Sequence, residues 1–152
     1  FVKLILYHMY YTFPKFGLRE LGPGAPIGHV FGLLNATIVI VLAPLVGALT
    51  QRVSAYRAVV IGTAIAAGSV FFLAVPPVHF AWLADGWLGE LVGHTWLGLP
   101  GPVPPLLVAI VLCVVVYSVG EACYSPRLYE YPAAIAPRGQ EGSYLALSLL
   151  PC

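Results

Sequence analysis

The chain has 152 residues, of which 60% are hydrophobic and only 9% charged, with a formal net charge of +1. Soluble domains carry about 25% charged residues, so a composition this poor in charge excludes a water-facing globular surface and reads as a helical membrane protein. With no basic run and no interleaving of basic and aromatic residues, it also excludes nucleic acid as a partner.

The charges fall in clumps, and the intervals between them carry the message. Residues 21–51, 58–84 and 91–120 hold no Asp, Glu, Lys or Arg. Each interval exceeds the roughly 20 residues that cross a bilayer.

In chain order, the first segment covers about 1–16 and closes on Thr12-Phe13-Pro14-Lys15. Its apolar part amounts to about 20 Å of helix, which is short of a bilayer. It is therefore expected to be a span whose beginning lies outside the chain, with Lys3 inside the membrane. Leu21-Gly-Pro-Gly-Ala-Pro26 is a breaker. A second span is predicted over 27–49, with Asn35 and Thr37 as its polar pair and Pro44 beyond them. A third runs over 58–75 and carries Gly62, Ala66, Ala67, Gly68 and Ser69, small residues that let helices approach closely in lipid. Pro77 to Pro105 is a long connection with Trp82, Trp87 and Trp96, expected as an interfacial belt or as a short surface or re-entrant helix. A fourth span is predicted over 104–130, then a turn at Ala136-Pro137-Arg138-Gly139. A fifth span, over 142–152, is cut short by the end of the chain. The chain is thus expected to be one incomplete transmembrane domain, a fragment of a longer multi-pass protein in a plasma or inner membrane.

Lys and Arg counts orient the helices. Lys15 and Arg19 lie in the first and third loops, whereas Arg52, Arg57, Arg127 and Arg138 lie in the second and fourth, which places the latter two in the cytoplasm. Cys113, Cys123 and Cys152 have no CxxC spacing and read as small packing residues. His8, His29, His79 and His94 are scattered, so neither a metal nor a cofactor is expected. No HExxH, Gly-x-Ser-x-Gly or paired intramembrane acids point to an enzyme.

Glu121 stands at the end of a long charge-free run, in Gly120-Glu121-Ala-Cys-Tyr-Ser125-Pro126-Arg127. An acid at membrane depth costs about 2.5–3.5 kcal/mol and is usually kept for a proton, an ion or a ligand. The bland alternative is an acid at the interface that caps a helix end. Ser125 lies one turn further along the same face. Pro126 donates no N–H and frees a carbonyl one turn earlier. Asn35 needs hydrogen-bond partners in hydrocarbon, whether across a cavity or in simple packing. Lys3 could serve a substrate carboxylate or a proton path, or could snorkel. Tyr7, Tyr10, Tyr11 and His8 form a polar-aromatic edge that could line a cavity. Arg127 and Glu130, three apart, could form a cytoplasmic gate or a plain ion pair.

Two stretches resemble a known family. Leu33-Leu34-Asn35 followed by an apolar run and Ala43-Pro44 resembles the eighth helix of the proton-coupled oligopeptide transporters, with Ala36 where that family usually has proline. Gly120-Glu121, Ser125-Pro126 and Ala136-Pro137 resemble its tenth helix. Gly47-Ala-Leu-Thr-Gln-Arg52 with Arg57 resembles the basic loop between the second and third helices of each half in the wider major facilitator superfamily. The resemblance implies an all-α membrane fold. The chain would be the C-terminal half of a major facilitator bundle, from about helix seven to the start of helix eleven. It implies symport of a peptide-like or other small organic solute with protons, by alternating access against a missing N-terminal half. It implies a substrate or proton site at Glu121, with Asn35, Lys3 and Ser125 near it. The alternative is a structural or assembly subunit of a membrane complex that transports nothing.

Overall fold

A computed structural model describes residues 2–49 and 53–149, without the side chains of Val2, Lys3, Tyr129 and Leu149. Among these residues all regular structure is helical. Helix α1 occupies residues 2–21, α2 is His29–Leu49, α3 is Ala55–Ala74, α4 is Pro105–Ile135 and α5 is Glu141–Leu149. The connection between α3 and α4 is a series of short helical turns, from Pro77–Phe80 to Glu90–Trp96. Three of these helices, α2, α3 and α4, are long and apolar enough to cross a membrane. They correspond to the three charge-free intervals.

The helix ends differ from the sequence reading for local reasons. Helix α1 does not close at about residue 16 but continues to Leu21. Pro14 has no N–H to give, and its ring crowds the carbonyl one turn back. The preceding turn, His8–Thr12, is widened to π geometry, and the Phe13 N–H bonds the His8 carbonyl. A second π turn, His29–Leu34, leads directly into Asn35. Helix α3 starts at Ala55, where Ser54 caps it by accepting from the Arg57 N–H at 3.4 Å. Helix α4 runs through both Pro126 and Pro132 to Ile135. The breakers at Gly22 and Gly139 both adopt positive φ, 94° and 82°, which suits glycine.

Helix α4 is the centre of the molecule. In its most apolar stretch 67% of residues are buried, against 17% for α2 and 22% for α3. Leu107, Val108, Ile110, Val114, Tyr117 and Tyr124 form the core along it. Helices α2, α3 and α5 pack around it, and α3 does so most extensively. Its partners turn apolar side chains such as Ile40, Val41, Ile61 and Phe71 outward, as a surface in contact with lipid requires.

The α3–α4 crossing is made by small residues. Ala58, Gly62, Ala66 and Ser69 form the buried stripe of α3, while Ala67 and Gly68 point elsewhere. A Cβ on Gly62 would lie 2.7 Å from the Gly120 carbonyl oxygen, and one on Gly120 would lie 2.6 Å from the Gly62 carbonyl oxygen. Backbone therefore rests on backbone at this point, one residue before Glu121. Ser69 bonds the Ala66 carbonyl at 2.6 Å, and the Cys113 thiol reaches the Ser69 hydroxyl at 3.8 Å across the same interface.

Candidate functional site: a buried acid held by neutral donors

Glu121 stands near the middle of α4, about 24 Å of helix from Pro105 and about 21 Å from Ile135. It caps no helix end, so the bland expectation of a capping acid gives way. Its side chain is only 8% exposed.

Three helices bring polar groups to it. Asn35, at the mouth of the π turn in α2, is 3% exposed and donates from Nδ2 to Glu121 Oε2 at 2.9 Å. The same Nδ2 donates its second hydrogen to Ser118 Oγ at 3.0 Å. Ser118 is fully buried and gives its own proton to the Val114 carbonyl at 2.7 Å. Tyr10, inside the π turn of α1, places its hydroxyl 3.1 Å from Asn35 Oδ1 and 3.4 Å from Glu121 Oε1. Widened turns of this kind are uncommon and recur at functional sites. Here they aim both side chains at one carboxyl group.

Among the described residues, the groups bonded to Glu121 are all neutral. Among the described residues no ion pair includes it; the ion pairs there are Arg19–Glu20 and Arg127–Glu130. Close by on α4, Tyr117 and Tyr124 are buried and share one hydrogen bond, 3.1 Å between hydroxyls.

The remaining expected residues are placed as follows. Ser125 is half-buried on α4, and the side-chain bonds of Glu121 go to Tyr10 and Asn35 rather than to it. Ser118, one turn on the other side, takes the place the sequence reading gave it. Tyr7 is exposed, with its ring stacked on Tyr11 at 5.9 Å. His8 bonds Thr12 Oγ1 at 3.0 Å. His8 also lines an open apolar cleft of about 410 Å³ between α1 and α3, with Ile5, Phe13, Val70 and Phe71. Arg127 and Glu130 pair at 2.6 Å on the exposed end of α4. The side chain of Lys3 and the whole of Arg52 lie outside the described residues.

Sequence reasoning named Tyr10 only as one of an aromatic group and did not name Ser118. Ser118 sits at i−3 from Glu121, as close on the helical face as Ser125 at i+4. Spacing alone could have raised both serines, and only the position of α2 chooses between them.

Chemically, the arrangement can hold a carboxylate that accepts from two neutral donors, or a carboxylic acid that donates onward. It offers no nucleophile poised by a base. Compared with known protein families, with curated proteins and with solved structures, the chain matches none.

Proposed function

We propose that this chain is part of a secondary active transporter in which Glu121 takes a proton or a cationic group of a small organic solute during alternating access. One observation carries the reading: a buried carboxyl group on the central helix is contacted only by neutral donors among the described residues. A charge at such a site is costly unless it is matched, and the partner that matches it can be mobile. A fixed structural acid would be served better by an arginine or lysine than by an amide and a phenol. The likeness of Asn35…Ala43-Pro44 and Gly120-Glu121…Ser125-Pro126 to the proton-coupled oligopeptide transporters supports proton symport and a peptide-like solute. The transport cavity in that superfamily lies between two halves, so the activity belongs to the complete transporter.

The test is uptake of radiolabelled di- and tripeptides into proteoliposomes holding the full-length protein under an imposed proton gradient. Glu121→Gln keeps the shape and removes the titration, and is expected to abolish concentrative uptake. Uptake with unchanged rate and pH profile in this variant would refute the assignment.

A second reading, a non-transporting packing module, draws on the backbone contact between Gly62 and Gly120. It predicts that Glu121→Gln changes nothing but stability.

A further inference from the structure

The hydrogen bonds around Glu121 decide which of its two oxygens carries the proton. Two hydrogen bonds away from Glu121 stands Ser118. Its hydroxyl proton goes to the Val114 carbonyl at 2.7 Å, so towards Asn35 its oxygen can only accept. The Asn35 atom facing it at 3.0 Å must therefore be the amide nitrogen. This fixes the amide orientation without reference to Glu121. The same nitrogen faces Glu121 Oε2 at 2.9 Å. Oε2 thus meets a group that only donates, and a proton there would set hydrogen against hydrogen. Oε1 is different, because it faces the Tyr10 hydroxyl, which both donates and accepts.

Tyr10 has one hydroxyl proton and two acceptors within reach, Asn35 Oδ1 at 3.1 Å and Glu121 Oε1 at 3.4 Å. With Glu121 ionised, the phenol turns to Oε1 and leaves Asn35 Oδ1 without a donor. With Glu121 protonated, every group is served by a one-way chain: Glu121 Oε1–H to Tyr10 Oη, and Tyr10 Oη–H to Asn35 Oδ1. The shorter of the two phenol distances is the one that this chain uses.

The geometry points to Oε1 as the proton-bearing atom of Glu121 and to Tyr10 as the positioning residue that stabilises the proton-loaded form. This rests on the reading of Glu121 as a proton site. The step moves a proton from hydronium in the surrounding water to Oε1, leaving a water molecule, and breaks no bond between heavy atoms; the Tyr10 hydroxyl proton swings from Oε1 to Asn35 Oδ1. Among the described residues, the other groups facing the site do not compete. The contact from α3 is made by Gly62 and Ala66, which do not titrate. Tyr117 and Tyr124 of α4 bond each other. From α2 comes only the amide, and His8 of α1 is turned to Thr12. Because Tyr10 lies in the π turn of α1, the proton on Glu121 is felt by that helix through a single hydroxyl.

The sign of one shift tests this. The full-length protein is titrated in lipid by infrared spectroscopy, following the protonated-carboxyl band that disappears in Glu121→Gln. No substrate is needed. Tyr10→Phe removes a single oxygen from a side chain that is 47% exposed. If Tyr10 stabilises the protonated form, the band in Tyr10→Phe requires a proton concentration about three- to tenfold higher, the equivalent of one hydrogen bond. A phenol that serves mainly the ionised carboxylate gives the opposite shift, to lower proton concentration, and overturns the proposal. An unchanged titration overturns it as well. Should no band distinguish wild type from Glu121→Gln, the proton-site reading itself fails, which is a separate result from a failure of Tyr10→Phe.

Discussion

Substituting Gly120 by alanine adds one methyl group where α3 and α4 touch. The new Cβ would sit 2.6 Å from the Gly62 carbonyl oxygen, 2.7 Å from the Ala66 nitrogen and 3.0 Å from the Ala66 Cβ. Two of the three obstacles are backbone atoms, which cannot rotate aside. Ordinary contact begins at 3.4 Å, so the helices must part by 3.4 less 2.6, about 0.8 Å. A gap of that size forfeits about a quarter to a half of each dispersion contact along the crossing, and overpacking of this kind typically costs about 1–3 kcal/mol. Glu121 moves with its neighbour. Its 2.9 Å bond to Asn35 would stretch beyond hydrogen-bonding range if the displacement fell along it. Gly68→Ala is the control, because nothing lies within 4 Å of a Cβ there and helix propensity alone favours alanine. Thermal melts of the full-length protein in detergent should put Gly120→Ala clearly below wild type and Gly68→Ala at or above it. A Gly120→Ala melt equal to that of Gly68→Ala would refute the backbone contact, and with it the packing that positions Glu121.

The two buried tyrosines of α4 give a non-additive pair. Tyr117→Phe strands the Tyr124 hydroxyl in the core and should cost about 1–3 kcal/mol, whereas Tyr117→Phe with Tyr124→Phe should be close to wild type, as a double-mutant cycle on melting would read. Glu130→Gln breaks the Arg127 ion pair, in which the glutamate side chain is 54% exposed, and should change stability by less than about 1 kcal/mol. If the proposed uptake by the full-length protein falls severalfold in that variant while the melt stays put, the pair acts as a gate.

The span-forming helices were legible because charge is costly in hydrocarbon: the uncharged interval 21–51 contains α2, 58–84 covers all but the first turn of α3, and 91–120 covers the first half of α4. Their ends were less so. The first segment was expected to close just past Pro14 and the fourth span to end at 130, before Pro132, yet α1 runs on to Leu21 and α4 runs through Pro132 to Ile135. Proline withholds a hydrogen bond without fixing what the rest of the helix does when packing favours its continuation. In the site, Glu121 and Asn35 could be singled out because each is a polar group in apolar sequence. Spacing raises Ser118 and Ser125 alike, and since a serine in a helix can bond its own backbone and needs no partner, nothing in the residues chooses Ser118. The role of Tyr10 depends on a π turn that shifts the face of α1, and no periodicity in the residues announces such a turn.

The central position of α4 has a consequence for how the molecule is assembled. Chains are made from the N-terminus, so α2 and α3 emerge well before Pro105–Ile135. In that interval Asn35 has neither Ser118 nor Glu121, and the small-residue stripe of α3 has nothing to rest against. Glu121 in turn arrives as an acid in need of donors, and Asn35 is already waiting as one. The polar cluster thus joins early and late parts of the chain, and both it and the glycine contact can form only once α4 has been made.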